Sequence, residues 1–130
     1  MLLGGCYCGA IRYAADGEAF HLTNCHCTIC RRTTGAPFVA WFTVKRSHFR
    51  FTQGEPKFFR SSPGCSRTFC ANCGSQLTFV TERVTDEIDV TTATLDVPQG
   101  LAPQDHTFTD SQLPWIALDD DLPRYPGRRP

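Results

Sequence analysis

Seven of the eight cysteines fall into three short clusters: Cys6-Tyr-Cys8, Cys25-His-Cys27-Thr-Ile-Cys30 and Cys70-Ala-Asn-Cys73-Gly74. Thiolates spaced this closely on turns can converge on one soft metal ion, zinc above all. Disulfides are the poorer reading. A bridge within C-x-C is strained, and three thiols within six residues make poor partners for one another. Two plus two cysteines make a closed four-sulfur site, and the cluster of three leaves a fourth position open. Closed zinc sites are structural, and open ones can do chemistry.

Cys70-x-x-Cys73-Gly has the form of a zinc knuckle, its glycine allowing the tight turn. It needs two more ligands from another segment, and Cys6 and Cys8 are the natural donors. Such a pairing closes a loop of some sixty residues, where a crosslink constrains the unfolded chain strongly. In the middle cluster, Cys25, Cys27 and Cys30 fit one face of a second zinc ion. His26 lies between two of them, and in an extended segment its side chain points away, so it reads as a packing or hydrogen-bonding residue. Arg31 and Arg32 follow at once. They suit lowering of thiolate pKa values and capture of an anion, or else a solvated helical turn. Cys65 stands apart, as a small apolar residue near Phe69 or as a fourth ligand of the open site. His21, His48 and His106 lie in strand-like contexts.

The elements that must position these residues are mostly strands. The chain has 130 residues, ten Phe, three Tyr and two Trp, which favours sheet over helix and a single domain spanning 1–130. Phe38 to Val44 alternates strongly, with Phe38, Ala40, Phe42 and Val44 on one face. Gly9–Ala14, His48–Thr52, Lys57–Ser61, Gln76–Val80 and Glu87–Leu95 read as further strands, and Arg67–Phe69 enters the second knuckle. Thr28–Thr34 reads as a helical turn ended by Gly35 and Pro37. The proline-rich tail, about 113–130, reads as irregular coil anchored by Trp115. The expected fold is all-β, one loop-rich domain with two metal knuckles.

The formal net charge is zero, which gives no electrostatic case for nucleic acid or membrane surfaces. No stretch approaches the roughly 20 apolar residues of a membrane span, and Met1-Leu-Leu-Gly-Gly lacks the form of a signal peptide. Thiols of this kind stay reduced in the cytoplasm, the expected location. The oligomeric state stays open.

Three segments resemble the glutathione-dependent formaldehyde-activating family, a domain also seen in centromere protein V. They are Gly4-Gly-Cys6-Tyr-Cys8-Gly-Ala-Ile-Arg-Tyr13, Cys25-His-Cys-Thr-Ile-Cys30-Arg-Arg-Thr-Thr-Gly-Ala-Pro-Phe38 and Arg67-Thr-Phe-Cys70-Ala-Asn-Cys73-Gly-Ser-Gln-Leu77. The resemblance implies a β-rich, Mss4-like fold. It implies Cys6, Cys8, Cys70 and Cys73 as structural zinc ligands and Cys25, Cys27 and Cys30 as ligands of a second, catalytic-type zinc. It also implies carbon–sulfur lyase-type chemistry: glutathione and formaldehyde condensing to S-hydroxymethylglutathione.

The functional expectation is therefore a zinc enzyme that joins a small thiol to a small aldehyde. Arg31 or Arg32 would meet a carboxylate of the thiol, and Phe38 and Trp41 would wall the site. The alternatives are a non-catalytic zinc module, which calls for a fourth protein ligand at the open cluster, and a thiol redox sensor.

Overall fold

Alternation along the central strand sets the layering. In the computed structural model, which describes residues 1–130, Phe42 and Val44 are fully buried on one face of their strand, and Trp41 and Thr43 are buried on the other. The strand is hydrogen-bonded on both edges, by Phe20–Cys25 and by Val84–Thr91. This strand, β4 (Val39–Lys45), is the third of seven in a sheet. In chain order the rest are β1 (Leu2–Gly5), β2 (Arg12–Ala15), β3 (Phe20–Cys25), β5 (Phe49–Gln53), β6 (Lys57–Ser62), β7 (Cys65–Phe69), β8 (Gln76–Thr81), β9 (Val84–Thr91) and β10 (Asp105–Thr107). One helix, α1 (Thr28–Thr34), interrupts them.

The large sheet runs β10-β3-β4-β9-β8-β7-β6, and a small one runs β1-β2-β5. Neighbours are antiparallel except β10, which pairs with β3 in parallel. The core lies between the sheets. Leu22, Phe42, Val44, Leu77, Ile88 and Val90 meet Ile11, Tyr13 and Ala15, with Phe49 and Phe51 packed at the margin. Tyr13 is clamped by its hydroxyl, 2.8 Å from Thr94 Oγ1, and burial pushes its pKa up to about 12.

The main core uses one face of the large sheet, and a smaller buried cluster of Cys25, Cys30, Val39 and Trp41 lies on the other side. On that other face, His21 and Cys25 of β3, Trp41 and Thr43 of β4, Asp89 of β9, Phe79 of β8 and Arg67 of β7 floor a cleft of about 550 Å³.

The expected strands are present within a residue or three at most ends, and Thr28–Thr34 is helical, closed by Gly35 at φ 70°. Three features differ from the sequence reading. β1 was not expected as a strand, and β3 and β10 were marked only by the strand-like contexts of His21 and His106. The strand expected to reach Leu95 stops at Thr91, where a 3-10 turn carries the chain round the corner. Trp115 does not anchor the tail, for it is 69% exposed. Backbone bonds anchor it instead: His106 N–H donates to Pro123 O, Tyr125 N–H to His106 O and Phe108 N–H to Gly127 O. The Arg129–Asp105 ion pair adds to them. No helix is long and apolar enough to cross a membrane.

Candidate metal centres and cleft

Each of the first two cysteine pairs sits on a turn closed by a left-handed glycine. Gly9 N–H donates to Cys6 O with φ 81° at Gly9, and Gly74 N–H donates to Cys70 O with φ 81° at Gly74. A side chain at either position would strain this backbone. The turns stand face to face. Cys6 Sγ is 3.6 Å from Cys8 Sγ, which is 3.8 Å from Cys70 Sγ, and the four sulfurs, Cys73 included, lie within 4.8 Å of one another. Tetrahedral zinc with Zn–S bonds of about 2.3 Å requires sulfurs about 3.8 Å apart, so this donor set fits zinc. Outer contacts fix the sulfurs. Ile11 N–H donates to Cys6 Sγ, Asn72 Nδ2 donates to Cys8 Sγ, and Ser75 Oγ lies 3.2 Å from Cys73 Sγ. The hydrogen bonds from the Ser75 hydroxyl and backbone hold Cys73 down at about 5.

The other three ligand candidates come from a strand end and a helix start. Cys25 ends β3, Cys27 is the N-cap of α1, and Cys30 is in its first turn. Cys27 Sγ accepts from Cys30 N–H at 3.2 Å, so the sulfur itself caps the helix. Cys30 Sγ is 3.4 Å from Cys25 Sγ, and the three sulfurs lie within 4.8 Å of one another. Hydrogen bonds from Cys25 and then Cys30 lower Cys27 to about 2, while the bond to Cys27 raises Cys25. A thiolate is thus already favoured at the centre of the cluster, and the set fits zinc with one position left over. None of the eight cysteines is in a disulfide.

The positive charge beside this cluster is Arg67. Its Nη1 and Nη2 each lie 3.6 Å from Cys30 Sγ. The side chain is 4% exposed and lies over the rings of Trp41 and Phe79, with Nη1 also donating to Gln76 Oε1. Arg31 and Arg32, in the last turn of α1, do not line the cleft; Arg31 is half-buried and Arg32 exposed. Trp41 lines the cleft and Phe38 does not, because Phe38 stacks on the His26 ring at 4.9 Å.

His26 points away from the sulfurs. Its Nε2 meets His106 Nδ1 at 2.9 Å, and His106 Nε2 meets Asp120 Oδ2 at 3.0 Å. Cys65 lines the cleft but belongs to neither cluster. Burial pushes its thiol up, but hydrogen bonds with Ser62 and Thr81 outweigh that and leave it below the usual thiol range. Arg67, Gln76 and Asp89 escaped the sequence reading. Alternation along β7, which puts Arg67 on the face of Cys65, was the available signal.

The cysteine pattern and the two-sheet architecture agree with comparisons to known proteins. Residues 1–111 match the family described as glutathione-dependent formaldehyde-activating enzyme. The chain belongs to that family. A lyase of unassigned activity from Schizosaccharomyces pombe is 36% identical over 76 residues, 58% of this chain and 55% of that protein. The aligned region thus spans about half of that relative's length. A Halomonas elongata protein named for the same family is 27% identical over 141 residues, 98% of this chain and 72% of its own. A crystal structure of a Rhodobacter sphaeroides protein superimposes with a TM-score of 0.60 at 21% identity, covering 95% of this chain and 98% of that one, which supports the fold.

Proposed function

We propose that this protein is a zinc-dependent, carbon–sulfur lyase-type enzyme that condenses a glutathione-like thiol with formaldehyde or another small aldehyde. The observation that carries this reading is the set of three convergent sulfurs, Cys25, Cys27 and Cys30, open to a cleft of about 550 Å³. A cleft of that size suits a small ligand. The non-catalytic module calls for a fourth protein ligand, whereas the grouping holds three donors.

In this reading Cys6, Cys8, Cys70 and Cys73 hold a structural zinc and Cys25, Cys27 and Cys30 hold the second. Bound zinc lowers the pKa of a coordinated thiol and so supplies a thiolate near neutral pH. The chain's own groups do the rest. Trp41 and Phe79 give the cleft an apolar wall. Arg83 and Arg128 line it without a carboxylate partner and are placed for the carboxylates of an anionic thiol. Arg31 and Arg32, on α1, are not among the residues that line the cleft.

Exchange NMR of glutathione with formaldehyde tests the proposal, since the spontaneous reaction supplies its own baseline. Zinc-loaded protein should raise the exchange rate at least about tenfold over an enzyme-free control, and Cys27→Ser should remove the gain. Rates equal to the control would overturn the enzyme reading.

A further inference from the structure

The condensation turns a carbonyl oxygen into an alkoxide, and something must hold that negative charge as it forms. Preorganised donors in a water-poor site do this best. The cleft contains one charged donor set in direct contact with the three-cysteine cluster, the guanidinium of Arg67. Its two terminal nitrogens are each 3.6 Å from Cys30 Sγ. A guanidinium keeps its charge, so a side chain 4% exposed needs an anionic partner. No carboxylate pairs with it. Its remaining contact is the neutral Gln76 Oε1 at 3.3 Å, and its buried Nε has no partner. Its neighbours Trp41 and Phe79 lie 5.7 and 5.0 Å away and fix the plane of the fork. The positive charge is thus pinned at the cluster with donor capacity unspent.

We propose that Arg67 is a catalytic residue whose guanidinium donates to the aldehyde oxygen as negative charge develops there. The inference rests on the condensation reading above. The aldehyde oxygen ends two bonds from the attacking sulfur, so a donor touching the cluster is a donor within reach of that oxygen. The electron count closes without a redox partner. The thiol releases its proton to solvent, the carbon–sulfur bond forms, and the carbonyl π pair moves to oxygen beside Arg67. Water then protonates the oxygen to the hydroxyl. In the reverse direction the same contact holds the alkoxide while the carbon–sulfur bond breaks.

Arg67→Met and Arg67→Lys test this in the zinc-loaded protein. Methionine fills the slot between the two aromatic rings without charge. It should lower kcat about 100- to 1000-fold, the loss seen when a single oxyanion donor is removed. KM for glutathione should stay within about threefold and zinc per chain should stay at the wild-type value. Lysine should recover at least about tenfold of the loss. Arg67→Met with kcat within about threefold of wild type would overturn the proposal, as would activity that tracks zinc content across both variants, since Arg67 would then only brace the cluster. If Arg67→Met does not fold, Arg67→Lys decides alone: lower kcat at full zinc content supports the role, and unchanged kcat overturns it. The wild-type rate separates the two readings. A wild type no faster than the enzyme-free control overturns the condensation reading and this role with it. A fast wild type with an unaffected Arg67→Met overturns the role of Arg67 alone.

Discussion

Asp89 sits opposite Thr43 across the β4–β9 ladder, and the Thr43 hydroxyl donates to its Oδ1 at 2.6 Å. Burial raises its pKa to about 6, Glu87 on the same strand pushes the same way, and Arg129 and Arg67 oppose both. A carboxyl raised in the folded state favours folding while protonated and loses that contribution as pH climbs from about 4 through about 6. Above pH 7 the wild type carries the cost of a half-buried carboxylate. Asp89→Asn should therefore raise the melting temperature at pH 8 by a few degrees, with the gain largely gone at pH 5; thermal melts at the two values check it. Asp89 and Arg67 were not legible as site residues because their neighbours are set by register between strands far apart in sequence. The seven cysteines were legible because each cluster is local, and metal-ligand spacing within a turn needs no knowledge of the fold.

Single elements show the same division. α1 has seven residues, too few to be stable alone. Cys27 caps its start, Gly35 its end, and Gln76 Nε2 donates to Thr33 O from β8. Its limits were legible because caps and glycine are local signals. β1 was hidden by its own glycines. Gly4 is a point of close approach rather than a turn: a Cβ there would collide with the Tyr13 hydroxyl and Thr94 O. Gly4→Ala should cost about 1–3 kcal/mol by overpacking, read from urea unfolding, more than Tyr13→Phe, which removes one hydrogen bond worth about 1 kcal/mol. β10 was hidden for a different reason. The strand-like context of His106 fixed neither its bounds nor its partner, because three residues are too short to alternate and the partner strand lies some eighty residues earlier.

For the whole molecule, the two sulfur clusters predict two kinds of metal behaviour. Cys6, Cys8, Cys70 and Cys73 join the small sheet's loop to the knuckle between β7 and β8. Structural zinc in small peptides contributes apparent binding free energies on the order of 10 kcal/mol, comparable to the stability of a whole domain. Cys70→Ser should give insoluble or unfolded protein; soluble Cys70→Ser with unchanged cooperative melting would refute the four-sulfur assignment. The three-sulfur cluster opens to the cleft and draws on one loop, so a chelator should strip one zinc while circular dichroism stays native. Loss of both in a single step, together with unfolding, is the contrary result. At this scale the all-β fold was legible from alternation and aromatic content. The cleft was not, since it exists only once the second face of the large sheet is assembled.

The parallel pairing of β10 with β3 also has a consequence for synthesis. Thr107 lies beside Cys25 and its carbonyl accepts from His26 N–H, so β10 walls the three-cysteine loop. At about 5–20 residues per second, the eighty residues between them take the ribosome about 4–16 s. Cys25, Cys27 and Cys30 therefore emerge from the ribosome before their wall does, open to metal or to oxidant. Metal supply and redox state at the ribosome during those seconds then bear on whether each new chain starts its life intact or oxidised, and slowing elongation with rare codons between 30 and 105 should raise the oxidised fraction under peroxide.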